Sequence, residues 1–203
     1  MRTLLKVENL SVEVRTNKSS IKLVDNISFS LKEGECLGIL GESGSGKSMT
    51  CKAIMGLLDK NFHIEGSAVY EDSDLLKKNS EEMRKLRGKD IAMVLQNPMT
   101  CFDPLYPIGY QMAETFAEHL NLSQEEIRRK SIEILKLMQL KDSEDILHKY
   151  PHQLSGGMLQ RIMIGLAMAM EPKLLIADEP TTAIDAVTQY EIMKEFIKIK
   201  KKY

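Results

Sequence analysis

Residues 41–48 read GESGSGKS, and this octet limits the fold more tightly than anything else in the chain. It follows an apolar run of strand length, ECLGIL at residues 35–40. Gly41, Gly44 and Gly46 let the backbone turn tightly and aim N–H groups inward, with Glu42, Ser43 and Ser45 between them. A helix is expected from about Lys47 through MTCKAIMGLL. Its first N–H groups are unpaired and its dipole is positive at that end, so a phosphate settles there. Lys47 is then placed to reach the β- and γ-phosphates of a nucleotide, and the Ser48 hydroxyl to ligate Mg²⁺. A flexible Gly-Ser linker would share the composition, but it would not sit between a strand and a helix.

Residues 174–179 read LLIADE between Pro172 and Pro180. The apolar part predicts a buried parallel strand. Asp178 and Glu179 then emerge at its end, where open α/β sheets bind ligands. Asp178 suits Mg²⁺, through water, and Glu179 suits orienting and activating an attacking water. Between the two motifs lies LSGGM, formed by Leu154, Ser155, Gly156, Gly157 and Met158. Its hydroxyl and exposed N–H groups at a helix start make an anion site. Lys47 and Glu179 already complete a phosphate shell within their own subunit, so this spare site suits a nucleotide held by a second subunit. A lone Ser-Gly-Gly turn is more often a helix cap; standing before Gln160, Arg161 and a Met-rich helix, it carries more weight.

The 203 residues suffice for one α/β domain with a small subdomain. The 28 Lys and Arg against 29 Asp and Glu leave a net charge of -1, which gives no basic face for nucleic acid. Cys36, Cys51 and Cys101 match no metal or disulfide spacing and point to a reducing compartment. His63, His119, His148 and His152 show no paired ligand spacing, and the 13 methionines read as core filler. No signal peptide opens the chain, and the longest apolar stretch, residues 162–170, falls short of the roughly 20 residues a membrane span needs. The expectation is a cytoplasmic protein that reaches a membrane only through a partner.

Before the octet, Leu5, Val7, Val12 and Val14 alternate, as do Ile27, Phe29 and Leu31 against Asn26, Ser28 and Ser30. With TNKSS at residues 16–20 as a hairpin turn, and one more strand at residues 66–70, these predict an antiparallel sheet beside the nucleotide-binding core. IAMVL at residues 91–95 predicts a core strand ending at Gln96. Pro98, Pro104 and Pro107 then make a rigid loop, and helices are expected from about Ile108. Ser123 with Glu126 is a capping box, and Ile127, Ile134, Leu135 and Met138 fall on one stripe. Residues 97–165 therefore predict an inserted helical subdomain within a single domain over residues 1–203. A last helix is expected from Ala186 to about Lys200, with Ile192, Phe196 and Ile199 on one stripe and a solvated Lys-rich end.

With these residues in hand, the chain resembles the ATP-binding subunit of an ABC transporter over its whole length. GESGSGKS matches the Walker A loop, Gln96 in VLQNP the Q-loop, LSGGM the signature loop, and LLIADE the Walker B strand. Ala183, Ile184 and Asp185 match the D-loop. The resemblance implies a P-loop NTPase core of ABC ATPase type, with an antiparallel β subdomain and the helical insertion. It implies ATP and Mg²⁺ as ligands, Glu179 and Gln96 as catalytic residues, and Mg²⁺ held by Ser48, Gln96 and Asp178. It further implies a second ABC ATPase subunit, identical or not, sandwiching two ATPs head to tail. Two membrane-spanning permease subunits and an extracytoplasmic substrate-binding protein complete the implied assembly, with this chain peripheral on the cytoplasmic face of the inner membrane.

The nearest resemblance is to the subfamily powering nickel and peptide importers, and QNPMTCFDPLYPIG and LSGGMLQRIMIGLAM look like the nickel branch. Nickel itself is not expected to bind this chain. Soluble ABC proteins acting on DNA or ribosomes carry a long coiled coil or a second ATPase domain, and neither pattern stands here. A short helix of the membrane subunit is expected to dock near residues 97–112, with Phe102 or Tyr106 at the contact. Two departures remain. The adenine-stacking aromatic of many members falls here at Val14 or Arg15, and the match ends at Tyr203, before the family's switch histidine. The expectation is that these 203 residues alone bind ATP weakly and hydrolyse it negligibly, and an inactive subunit supporting an active partner stays open as an alternative.

Overall fold

The computed structural model describes residues 2–15, 20–181, 184–187, 189–190 and 193–194. They form two compact units that divide between Arg87 and Gly88.

The first unit is built on an antiparallel sheet in which β1 (Thr3–Arg15) pairs with β2 (Ser20–Lys32) and with β3 (Phe62–Tyr70). A two-residue strand, β4 (Ser73–Asp74), extends β3, giving the order β2-β1-β3-β4. Alternation places Leu5 and Val7, then Leu10 and Val12, in the core. The parity changes between Val7 and Leu10 because the β1–β3 register shifts between Glu8 and Ser11. Asn9 there has φ 52, and Gly66 opposite has φ 99. A Cβ on Gly66 would meet the Glu8 and Asn9 carbonyl oxygens at 2.6 and 2.5 Å, so glycine is required. Residues 16–19 of the expected hairpin turn lie outside the described residues, but Arg15 pairs with Ser20 across it. The third strand is longer than expected, since Phe62 to Glu65 join it.

Helix α1 (Lys47–Ile54) buries Thr50, Cys51, Ala53 and Ile54. It ends sooner than its sequence suggested, because Met55 caps it and Gly56 turns left-handed at φ 61. The Arg87 guanidinium closes that end, donating to the carbonyls of Met55 at 2.7 and 2.9 Å and of Gly56 at 2.6 Å. Helix α2 (Ser80–Leu86) opens on a capping box made by Asn79 and Glu82.

One expectation fails in this unit. Residues 35–40 form no strand, and Leu37, Ile39 and Leu40 are 45, 41 and 95% exposed. A strand is held by a hydrogen-bonded neighbour, and among the described residues this segment pairs with none. Apolar composition alone does not make a ladder.

In the second unit β5 (Ile91–Val94) pairs in parallel with β6 (Leu174–Ala177), in register from Ile91 opposite Leu174 to Val94 opposite Ala177. Burial of β6 is less than predicted: Leu174 is buried, Leu175 and Ile176 are half-buried, and Ala177 is exposed. A strand paired on one side keeps only part of its surface covered. Four helices supply most of this unit's core: α3 (Ile108–His119), α4 (Gln124–Leu137), α5 (Ser143–His148) and α6 (Gly156–Ala169). The Ser123–Glu126 capping box opens α4 as expected, with Glu126 N donating to Ser123 Oγ at 3.3 Å and Ser123 N donating to Glu126 Oε2 at 2.8 Å. Ile127, Ile134, Leu135 and Met138 are buried along the predicted stripe. Helices α4 and α6 pack tightly at Gly165, where a Cβ would meet Ile134 Cγ2 at 2.6 Å and Met138 Cγ at 2.9 Å.

The loop before α3 is clamped by Gln111, which accepts from Asp103 N and donates to the carbonyls of Asp103 and Tyr106, all at 2.8–2.9 Å. Phe102 points into the core and is 7% exposed, so it does not offer the surface contact expected of it. Tyr106 is on the surface and stacks on Tyr110 at 4.9 Å between centroids, next to Leu105, which is 77% exposed. Of the expected last helix, residues 186, 187, 189, 190, 193 and 194 are helical, while Ile192, Phe196 and Ile199 and the Lys-rich end lie outside the described residues.

Phe102→Ala is expected to destabilise the fold by about 3–5 kcal/mol, as large aromatic truncations in cores do. Tyr106→Ala should change stability by less than about 0.5 kcal/mol. Gly165→Ala should cost roughly 1–3 kcal/mol through overpacking, despite alanine's better helix propensity. Denaturant unfolding of the three variants measures all of this.

Candidate nucleotide-binding and catalytic site

In the first unit, residues 41–46 lead into α1 without regular structure. Gly44 and Gly46 take φ 82 and 91, conformations that disfavour any side chain. A Cβ on Gly46 would meet the Leu23 carbonyl oxygen at 2.6 Å, so the loop lies directly against β2. A Cβ on Gly41 would meet Ser45 Oγ at 2.5 Å, so residues 41 and 45 lie close together. Gly46 caps α1 with no side-chain hydrogen bond, and the first turn of α1 holds no acidic residue. That end of the helix is open to an anion. Lys47 Nζ donates to the carbonyls of Gly41 at 2.8 Å and Glu42 at 2.9 Å, so its cation arches back over the loop. Glu42, Ser43 and Ser45 are exposed, and Ser48 is half-buried in the first turn of α1. An exposed, glycine-lined loop with a cation above it and a helix end without a side-chain cap fits a nucleotide's phosphates.

In the second unit the parallel strands end together. The ladder continues one step past β6, where Asp178 N donates to the Val94 carbonyl at 2.9 Å. Asp178 is 6% exposed. Glu179 follows on the surface with φ 46, a left-handed conformation that costs free energy for a side-chain-bearing residue. Gln96 Nε2, at the exit of β5, donates to Glu179 Oε2 at 2.7 Å across 83 residues of sequence. The amide nitrogen is thus committed to Glu179, and the amide oxygen, the only metal-ligating atom of Gln96, lies outside that bond. Carboxylate, amide and hydroxyl oxygens are the hard donors that Mg²⁺ prefers, so the residues expected to hold it are chemically suited.

The signature segment is in the same unit. Leu154 is buried, while Ser155 is exposed and caps α6, accepting from Met158 N at 3.3 Å. Gly156, Gly157 and Met158 form the first turn, which again holds no acidic residue. A Cβ on Gly156 would meet nothing within 4 Å, so the space in front of that turn is open. Ala183 lies outside the described residues. Ile184 packs against the helical core and donates through its N–H to the Thr181 carbonyl at 3.2 Å. Asp185 starts a helical turn, accepting through its carbonyl from Gln189 N at 2.8 Å.

Sequence reasoning noted Gln160 and Arg161 only as neighbours of the signature turn. Gln160 is fully buried, and its Nε2 donates to the Pro180 carbonyl at 2.8 Å and, more weakly, to the Leu95 carbonyl at 3.4 Å. Arg161 donates to the carbonyls of Met138 and Gln139 at the end of α4, at 3.3 and 3.2 Å. Burial holds the Arg161 pKa below the usual arginine value, with Asp185 acting in the opposite direction. A polar pair inside an otherwise apolar helix, MLQRIMIGLAMA, was the available signal.

The ABC transporter family profile matches residues 24–182. The metal-staphylopine import system ATP-binding protein CntD of Staphylococcus aureus is 46% identical over 202 residues, which cover 99% of this chain and 73% of that protein. The dipeptide transport ATP-binding protein DppD of Haemophilus influenzae is 46% identical over 200 residues, covering 98% of this chain and 61% of that protein. The chain therefore spans a little under two thirds of the peptide-transport relative. Among solved structures, the dimeric post-hydrolysis state of the ATP-binding cassette MJ0796 bound to ADP and Pi superposes with a TM-score of 0.87 at 29% identity, covering 98% of this chain and 83% of that one. The chain belongs to the ABC transporter family, with the fold of its ATP-hydrolysing cassettes.

Proposed function

We propose that this ATPase energises an importer, with the octet at residues 41–48 holding the ATP phosphates and Glu179 activating the attacking water. The observation that carries the reading is the Gln96–Glu179 hydrogen bond at the common exit of two parallel strands. It presents a carboxylate on the surface, oriented by an amide, where α/β sheets do their chemistry. Mg²⁺, held by Ser48, Gln96 and Asp178, would neutralise charge on the phosphates. Gly156 and Gly157, with Ser155, would close on ATP held by a second ATPase subunit, and Ala183, Ile184 and Asp185 would face that subunit. Residues 97–165 serve in this reading as the helical insertion of a single ATP-binding domain.

Two cargo classes are equally supported. One relative at 46% identity belongs to a metal-staphylopine import system and another, also at 46%, to dipeptide transport. Nickel is one version of the metal reading. The partners in this proposal are a second ATPase subunit, identical or not, two membrane permease subunits and an extracytoplasmic substrate-binding protein. The chain is peripheral at the cytoplasmic face of the membrane; among the described residues no helix is long and apolar enough to cross one. The exposed Leu105, Tyr106 and Tyr110 replace Phe102 as the surface where a permease helix would dock.

Lys47→Ala removes a unit charge beside the phosphates, an interaction of up to about 4 kcal/mol at 4 Å and surface-like dielectric, and should weaken MgATP binding at least about tenfold. Glu179→Gln should leave binding intact and lower turnover by about 10²–10⁴-fold, the usual contribution of a general base. Nucleotide titration and ATPase assays on the assembled transporter check both. Unchanged affinity in the first variant or normal turnover in the second contradicts the site. ATP binding without turnover by the unaltered assembly would instead favour a supporting, inactive subunit. Transport of a metal chelate against a dipeptide by the same assembly separates the cargo readings.

A further inference from the structure

We propose that Gln160 is a positioning residue for ATP hydrolysis, tying the signature helix to both strand exits that carry the catalytic side chains. The side chain is 0% exposed and projects from α6 toward the ends of β5 and β6. Its two hydrogen-bond partners are the carbonyls of Leu95, the residue before Gln96, and Pro180, the residue after Glu179. Both partners are carbonyl oxygens, so only the amide nitrogen can face them, and its two protons serve one each. The bond to Pro180 at 2.8 Å is firm, and that to Leu95 at 3.4 Å is long.

The buried Oε1 of Gln160 has no hydrogen-bond partner. Leaving such an atom unpaired lowers stability, and a methionine of similar shape would fill the same space without that loss. Packing therefore does not explain a glutamine here. A tie between α6 and the two strand exits does. Glu179 sits in a strained left-handed conformation, which persists only where its surroundings hold it. Gln160 holds the residue that follows it, while Gln96 holds its carboxylate. The same helix opens at Ser155, little more than one turn earlier, so a shift of the signature turn is passed to Gln96 and Glu179 through one side chain.

This inference rests on the reading of Gln96 and Glu179 as catalytic. Its test uses the assembled ATPase carrying Gln160→Met, Gln160→Glu or, as a packing control on the same helix, Ile162→Val. Gln160→Glu keeps the shape and turns an acceptor toward two carbonyls. For both Gln160 variants, kcat should fall about tenfold or more with KM for ATP changed less than about twofold, the pattern of a lost transition-state interaction. The dependence of rate on ATP should also become less steep, because engagement of one site no longer sets the other's catalytic loops. The melting temperature of Gln160→Met should stay within a few degrees of the parent, and Ile162→Val should keep the parent kcat. The proposal is overturned if kcat per folded molecule is unchanged well below the melting temperature. It is equally overturned if kcat falls only in step with the folded fraction. Normal turnover by Glu179→Gln would overturn the underlying catalytic reading as well. A dead Glu179→Gln beside a fully active Gln160→Met overturns the proposal alone.

Discussion

The parallel register of β5 and β6 is the constraint on which the chemical end of the second unit depends. Val94 opposite Ala177, with Asp178 N bonded to Val94 O, fixes where both strands stop. Gln96 and Glu179 then leave from the same end and meet at 2.7 Å. A slip of one residue would turn every side chain of one strand to the other face and separate them. Two strands of four residues cannot hold that register alone. Helix α6 supports it, with Leu159, Ile162 and Ile164 in the common core and Gln160 bonded to both strand exits.

The N-termini of the described helices are closed to different degrees. Those of α2 and α4 are closed by capping boxes and carry Glu81 and Glu82, or Glu125 and Glu126, in the first turn. The N-cap side chains of Asn79 and Ser123 accept from first-turn N–H groups, Glu82 and Glu126 accept from the N-cap N–H, and the acids complement the dipole. Helices α1 and α6 begin on glycine-rich sequence with no acid in the first turn, and α1 has no side-chain cap at all. Helix α3 also lacks first-turn acids, but it begins after Pro107, and Ile108 N is taken by the Lys149 carbonyl. What separates the motif helices is that glycine leaves their donors approachable. The difference lies in composition at a handful of positions.

Much of this was legible in the sequence because local chemistry and tertiary packing agree. The Ser123–Glu126 box, the stripe of Ile127, Ile134, Leu135 and Met138, and the alternation along β1 and β2 each need only one element and one apolar face. The failures needed non-local knowledge. Residues 35–40 have the apolar composition of a strand, but a strand exists only with a neighbour, and composition does not name one. Phe102 sits in a proline-rich loop and reads as surface, yet Gln111 folds that loop back and drives the ring into the core. The parity change at Asn9 depends on Gly66, more than fifty residues away. The Gln160 bonds were not readable either, since a glutamine within an apolar helix shows that something polar is buried and not which carbonyls it meets.

Three locally unfavourable features meet near the strand exits of the second unit, although Gln139, Asp142 and Glu171 also take positive φ elsewhere in it. Glu179 adopts φ 46, Gln160 buries an unpaired oxygen, and Asp178 is a carboxylate with 6% exposure. Such a concentration is what a site that must hold a reactive carboxylate in one orientation would produce. In this state Gln96 occupies one oxygen of Glu179. For Glu179 to accept a proton from water, an oxygen must face the nucleotide, so the amide of Gln96 competes with the water or orients the carboxylate toward it. Gln160 holds the backbone beside both residues, so in the proposed reading the balance between those two arrangements is set from α6, the helix that begins at Gly156. If Glu179 is the catalytic carboxylate, as proposed, its control lies on the helix that the same reading turns toward a neighbouring ATP.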